Sequence, residues 1–463
     1  MNCGNIQHPT SNFQLPTSNA CPRGAHWMLD VGCWMFPRGF VFGAFLCAAL
    51  LASGVDSRAQ SVPAPEQDIA EAAAALRPKL VETRRDFHLH PELSNREKRT
   101  AGVVAERLRA LGFDEVRTNI AKHGVVALLR GSRPGPVVAV RAEMDALPIN
   151  ETHDVPYKSL VPGVMHACGH DAHTAIGLGV AELLSQRRSR LRGVVKFLFQ
   201  PAEEAVPPGE EGGAPLMIKE GALADPRPAV IFGLHTSPEI ETGLVGYRAG
   251  AAQAAADGFK ITLHGKRAWA ASPEQGVDTI VVAAECVTAL QSIKSRRVDT
   301  FEPVILTIGT IHGGDRQNNM AEEVKLSGTI RTFSEPAQSR VEGLMDQTLA
   351  GVTEAYDASY EVQFQRTTTV VYNDPDLVRE CLPWLRAAVG PTNVVEVPQR
   401  MAAEDFSFYQ QVVPGFFFRL GSGNRAKGIT ASAHTPEFDI DEDCLVVGVK
   451  AMCGVVLGYL DRH

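Results

Sequence analysis

Three apolar runs in this chain each stop on a group that can carry chemistry. "PVVAVRAEMD" (136–145) ends on Asp145, "GVVKFLFQPAEE" (193–204) on Glu203 and Glu204, and "AVIFGLH" (229–235) on His235. Short, β-branched runs without a polar face read as strands buried on both sides. A helical stretch from about Asp171 to Arg188 lies between the first two. Strands alternating with helices read as an α/β unit with a mostly parallel sheet flanked by helices. Such sheets gather ligands at the carboxyl ends of their strands. Acids and an imidazole at three strand ends therefore predict one shared site.

Upstream, 66–85 reads as a helix. "ELSNREKRTAGVVAERLRALG" (92–112) reads as another, opened by a capping box of Ser94 and Glu97 and closed by Gly112. "GVVALLRG" (124–131) is a further strand. Near 255 the pattern changes. Strand-like "DGFKITLHG", a helical 275–296, "PVILTIGTIHGG" and "EEVKLSGTIRTF" come first. A helix with Val341, Leu344, Met345, Thr348, Leu349 and Val352 on one face follows, then "SYEVQFQ". That β-α-β-β-α-β order predicts a ferredoxin-like split βαβ insertion at 255–368. It separates the two parts of the α/β domain, 60–254 and 369–463, the second ending in an apolar helix over 441–460.

With 463 residues, 44% of them hydrophobic, the chain can bury two or three cores. A net charge of −8 argues against a general nucleic-acid binder, which needs clustered Lys and Arg on phosphates. The first 59 residues read differently. "FVFGAFLCAALLA" (40–52) is too short for a comfortable membrane span; Arg38 precedes it and "SRAQ" follows. This order reads as a signal peptide cut after Ala59, implying export to a periplasm; left uncleaved, it would anchor the chain. Met35 is a plausible start. Removing 1–59 reduces nine cysteines to Cys168, Cys286, Cys381, Cys444 and Cys453, an odd set at irregular spacing and no disulfide framework.

The densest chemistry is "MHACGHDAHTA" (165–175). Cys168 and His170, two apart before a helix, can reach one ion or two adjacent ions. A redox reading would need C-x-x-C, which is absent here. Glu203 and Glu204 are adjacent and so point differently: one can bind metal while the other faces water, the arrangement a metal-assisted hydrolase requires.

"HLHPELSNRE", "RAEMDALP", "MHACGHDAH", "FQPAEE", "GLH", "AEDFSFY" and "HTPEFDIDE" occur in this order from about 66 to 462. The set resembles the dinuclear metallo-amidohydrolases of the aminoacylase and carboxypeptidase clan, in the branch of hippurate hydrolase, N-acyl-amino-acid amidohydrolases and plant auxin-conjugate hydrolases. The resemblance implies two divalent ions, Zn or Mn, held by Cys168, His170, Glu204, His235 and His434. It implies Glu203 as general base and Asp145 as an acid that orients a metal-binding group. It places His88, His90 and His173 in supporting roles and Asp405 as holding a loop near the site. It also implies a lid insertion through which the chain pairs as a homodimer. The implied reaction cleaves the amide of an N-acyl amino acid into a carboxylic acid and an amino acid. An exported dipeptidase or carboxypeptidase, or a non-catalytic metal-dependent binder of acyl amino acids, are the alternatives; an intact Glu203 argues against pure binding.

Three positions depart from the pattern. "GKRAWAA" carries Trp269 where relatives have a histidine that stabilises the oxyanion, "NNMAEE" (318–323) lacks the usual proline but keeps Asn318, and Glu143 stands where Asp is commoner. Losing an oxyanion donor costs on the order of 100–1000-fold in rate. The expected outcome is that Trp269→His raises kcat on at least one N-acyl amino acid in a panel; no gain on any substrate counts against a lost donor.

Overall fold

The computed structural model describes residues 64–463 except 205. The expected signal segment lies outside the described residues. Two helices, α1 (Ala64–Ala75) and α2 (Arg77–Leu89), replace the single one expected at 66–85. Pro78 sits in the first turn of α2, where its missing N–H does no harm but its ring obstructs a continuous helix through the turn before it. The next helix, α3 (Lys98–Ala110), is followed by Gly112 at φ +75°. The capping box is not there. Ser94 Oγ instead donates to Asp145 Oδ2 (2.8 Å), and Glu97 Oε1 accepts from the Asn95 and Ala202 amides. The amides of Arg99 and Thr100 are capped by Glu92 at 2.9 and 2.8 Å. The buried acid outcompetes the local cap, because an unpaired carboxylate in the interior costs far more than a missing cap.

The main body continues with β1 (Glu115–Ile120), β2 (Gly124–Arg130), β3 (Arg133–Glu143), α4 (His170–Ser185) and β4 (Arg192–Gln200). Then come α5 (Gly213–Lys219), β5 (Val230–Glu241), β6 (Val245–Tyr247) and β7 (Gly250–Gln253). An inserted layer follows: β8 (Ala255–His264), α6 (Thr279–Ser292), β9 (Ile305–Gly313), β10 (Glu323–Thr332), α7 (Glu335–Ala355) and β11 (Ser359–Thr368). The chain returns through β12 (Val371–Asn373), α8 (Pro375–Val389), β13 (Val394–Glu396), α9 (Phe406–Gln410), β14 (Gly415–Gly423) and α10 (Cys444–Arg462).

Eight strands form one mixed sheet in the order β1-β2-β4-β3-β5-β14-β6-β13. Its centre, β4-β3-β5-β14, is wholly parallel, so these four strands end on one edge. β1 and β2 add an antiparallel flank on one side and β6 pairs antiparallel to β14 on the other. One face is covered by α2, α4, α8 and α10; Leu80, Phe87, Leu184, Phe197, Phe232, Leu385, Leu445 and Val456 share its core. The other face is thinner, with Met217 of α5 and Phe406 and Tyr409 of α9 packed on Leu198 and Ile231. By length and composition α10 could cross a bilayer, but Leu445, Val449, Met452 and Val456 are buried against α4 and α8. It is a core helix of this sheet.

The inserted layer is an antiparallel sheet, β11-β8-β10-β9. Its own apolar core joins Phe259, Ile261 and Leu263 of β8 to Cys286 and Leu290 of α6 and Val341, Met345 and Leu349 of α7. Asp278 and Ser334 cap α6 and α7. The five cysteines after residue 59 are all free and buried.

Candidate metal centre

Asp145 lies just beyond β3, and α4 begins at His170. Gly169 between Cys168 and His170 has φ +86°, and a Cβ there would come within 2.2 Å of Thr236 Oγ1 on β5. Only glycine allows that turn and that closeness. His170 Nδ1 is held by the Asp145 carbonyl (2.9 Å) and Oδ1 (3.1 Å), which aims Nε2 outward. That buried Nε2 has no hydrogen-bond partner among the described residues. Asp145 Oδ2 also accepts from the Glu204 amide at 3.1 Å, so one carboxylate ties together three segments.

The other donors arrive from separate elements. His235, on β5, donates Nδ1–H to the Thr236 carbonyl (2.7 Å), leaving Nε2 at 3.4 Å from Cys168 Sγ. His434 comes from the loop between β14 and α10, at φ +64°. Its amide donates to the Ala167 carbonyl (2.8 Å), and its Nε2 lies 3.3 Å from Cys168 Sγ and 3.2 Å from Glu204 Oε1. Cys168, His170 and His235 form one tight donor group, and Cys168, Glu204 and His434 a second. The two groups share the sulfur, a donor set suited to two adjacent divalent ions.

The local electrostatics fit the same ions. Burial, then Glu204 and Glu203, push the Cys168 thiol well above its usual range. Burial, then Glu404 and Glu204, do the same to the Glu203 carboxyl. Burial would lower the His170 pKa, but the Asp145 hydrogen bond and charge, with Glu143 and Glu204, raise it to about 10. Acids crowd this pocket. Divalent cations would reverse each shift, giving thiolate and neutral imidazole.

Beneath the donors sits a fully buried guanidinium. Arg141 pairs with Glu143, with Glu404 at 2.8 Å and with Asp405 at 2.7 Å, and donates Nε–H to Gln200 at 2.9 Å. Asp405 in turn accepts from the Ala214 amide (2.8 Å), tying down the start of α5. Glu143 meets His173 Nδ1 at 2.9 Å, and His173 Nε2 accepts the Thr236 N–H at 2.9 Å, next to His235. On the far side of α4, Asp171 takes Arg84 Nε (2.7 Å) and His88 Nδ1 (2.8 Å), clamping the first helical turn. His90, half-buried, bonds its own helix at Asp86 O.

Cys168, Glu203, Glu204, His235 and His434 open on one cavity of about 730 Å³. Its remaining wall includes Arg331 of β10 and Thr367 and Thr368 of β11, together with Arg400 and Arg419. These arginines escape sequence reasoning. They are single charges on unrelated strands and loops, and only the fold brings them together. An arginine between Ile330 and Thr332, both buried, is the one local hint. Trp269 does not line this cavity. It is 61% exposed and its backbone bridges to Asn319 within the inserted layer.

A family profile described as peptidase family M20/M25/M40 matches residues 139–458. An N-acyl-L-amino acid amidohydrolase of Geobacillus stearothermophilus is 42% identical over 299 residues, 65% of this chain and 79% of that protein. Thermostable carboxypeptidase 2 of Saccharolobus solfataricus is 37% identical over 384 residues, 83% of this chain and 96% of its own length. Among solved structures, the YXEP protein of Bacillus subtilis, described as a dinuclear metal binding peptidase from the M20 family, superposes with a TM-score of 0.73. It has 32% sequence identity, covering 84% of this chain and all of that one.

Removing the buried cation should be severe. Arg141→Met leaves Glu143, Glu404 and Asp405 without their shared cation, and the expected loss of unfolding free energy in urea is about 3–5 kcal/mol. A loss below about 1 kcal/mol would show that the acids are held in another way.

Proposed function

The chain belongs to peptidase family M20/M25/M40, and from that premise we propose that it cleaves the amide of N-acyl amino acids, releasing a carboxylic acid and a free amino acid. The observation that carries this reading is the shared cavity: four convergent metal donors (Cys168, Glu204, His235 and His434), with His170 grouped behind them, open on the same space as Glu203 and Arg331. Cys168, His170, Glu204, His235 and His434 would hold two divalent ions. Such ions supply Lewis acidity, polarising a carbonyl and acidifying water.

This chain's own residues do the rest. Glu203 Oε2 lies 3.9 Å from His170 Nε2, and its other oxygen accepts from the Asp405 amide at 3.4 Å. It stands beside the donor set without joining the Cys168 groups, the place for a base that takes a proton from water and returns it to the departing amine. Arg331 makes no salt bridge among the described residues; burial lowers its pKa, and the charge of Asp257 opposes that only in part. A substrate's α-carboxylate would pair with this guanidinium. Val206, Pro215 of α5 and Phe408 of α9 add apolar wall to the same cavity, suited to an acyl chain.

The inserted layer supports a homodimer. The outer edge of β9 has no partner strand among the described residues. Ile305 and Ile311 are exposed there, as are Ile280 and Val281 on neighbouring α6. Edges of this kind pair with a second copy. Trp269, which does not reach its own chain's cavity, would then be available to the second copy.

Two outcomes are expected. Glu203→Gln should lower kcat on an N-acetyl amino acid by about 100- to 10,000-fold while the chain still binds two metal equivalents by elemental analysis; parallel loss of metal would make Glu203 a ligand instead. Ile311→Lys should convert a dimer to a monomer in light scattering, and an unchanged mass would move the interface elsewhere.

A further inference from the structure

The cavity holds more positive charge than one α-carboxylate needs. Arg400 Nη2 lies 2.8 Å from Glu239 Oε1, and Arg419 closes on the same oxygen. One carboxylate therefore faces two guanidinium groups. Arg419 Nε also donates to Ser237 Oγ at 2.8 Å, and its side chain is only 11% exposed. Burial lowers its pKa to about 10, the mark of a cation stripped of water. Across the parallel pairing of β14 and β5, Arg419 stands opposite His235. Arg400 lies close enough to Cys168 for a thiolate there to stabilise its charge. The pair thus flanks the donor set on the His235 side.

One of these arginines would suffice to neutralise Glu239 as a structural staple. The second leaves the trio with a net positive charge on the cavity wall, with Arg419 11% exposed and Arg400 39% exposed. Of the other acids of the cavity, Glu404 and Asp405 pair with Arg141, and Glu203 and Glu204 lie beside His170 and form no salt bridge to Arg400 or Arg419 among the described residues. We propose that Arg400 and Arg419 form a second anion subsite, and that the substrate is an N-acyl derivative of an acidic amino acid, its side-chain carboxylate bound there while its α-carboxylate meets Arg331. The proposal rests on reading the cavity as a hydrolytic site for acyl amino acids. It adds the amino-acid specificity that reading leaves open.

The comparison uses the full-length, metal-loaded protein on N-acetyl-L-glutamate and the isosteric N-acetyl-L-glutamine. The expected kcat/KM ratio favours glutamate by about 10- to 100-fold, the range a charge-assisted hydrogen bond supplies, mostly through KM. Arg419→Gln is expected to erase the ratio. Calorimetry with free L-glutamate and L-glutamine reads the same preference without turnover. Equal or better handling of glutamine in both assays, or a ratio that survives both Arg400→Gln and Arg419→Gln, overturns the subsite. If the acetyl compounds resist but Ala-Glu and Ala-Gln are cleaved, the acyl-amino-acid reading fails, and the preference between those dipeptides decides on the arginines alone. A preference for N-glutaryl over N-pentanoyl substrates, with no side-chain preference, places the anion on the acyl side and overturns the assignment.

Discussion

Asp145 is the joint on which the rest of the centre hangs. It lies just beyond the central strand β3 and is buried, so each of its oxygens must find a partner. It finds them in His170, in the Glu204 amide and in Ser94, three segments far apart in the chain. Each contact also does something for the site. The first fixes which imidazole nitrogen points outward, the second sets the backbone that carries both glutamates, and the third locks the entry to α3. Burial, the hydrogen bonds and a raised His170 pKa are therefore one phenomenon: a carboxylate held in a dry place and used to aim donors.

Below that joint, Arg141 makes the crowd of acids tolerable. Glu143, Glu404 and Asp405 converge on it, and Glu203 feels its charge as well. A single cation cannot match four acids. What remains unbalanced is the outward-facing negative charge near Glu203, Glu204 and Cys168, where divalent ions fit. The interior is thus graded. A permanent cation sits deep, an acid layer lies above it, and exchangeable cations belong at the cavity surface.

Much of this was legible in the chain. β3, β4 and β5 announce themselves as apolar runs, and the groups that end them do meet at one sheet edge, because parallel strands share a direction. Cys168 and His170 stand out by their spacing before a helix. His434 could be found only through resemblance, since nothing in its own loop marks it; the positive φ and the bond to Ala167 that place it are products of tertiary packing. The capping box at Ser94 misled for the opposite reason. The local pattern was genuine, but a buried acid 51 residues away made a stronger claim on the hydroxyl. Arg331, Arg400 and Arg419 were invisible because an isolated arginine in a strand or loop is usually a solvated one, and only the cavity distinguishes these.

The departures from the family pattern fall almost entirely on the inserted layer. Trp269 and the 318–323 turn contact each other, through the Ala270 amide on the Asn318 carbonyl (3.0 Å) and the Met320 amide on the Ala268 carbonyl (2.9 Å). They contact none of the residues that aim the donors. The layer has its own core, so changes in it need not strain Asp145 or Arg141. Glu143 is the exception that tests this division. It lies in the deep network, and its longer arm spans Arg141 and His173 at once, a connection that reaches Thr236 and so the backbone beside His235. Glu143 in the deep network thus extends the support of a donor, while Trp269 and the 318–323 turn in the inserted layer leave every donor in place.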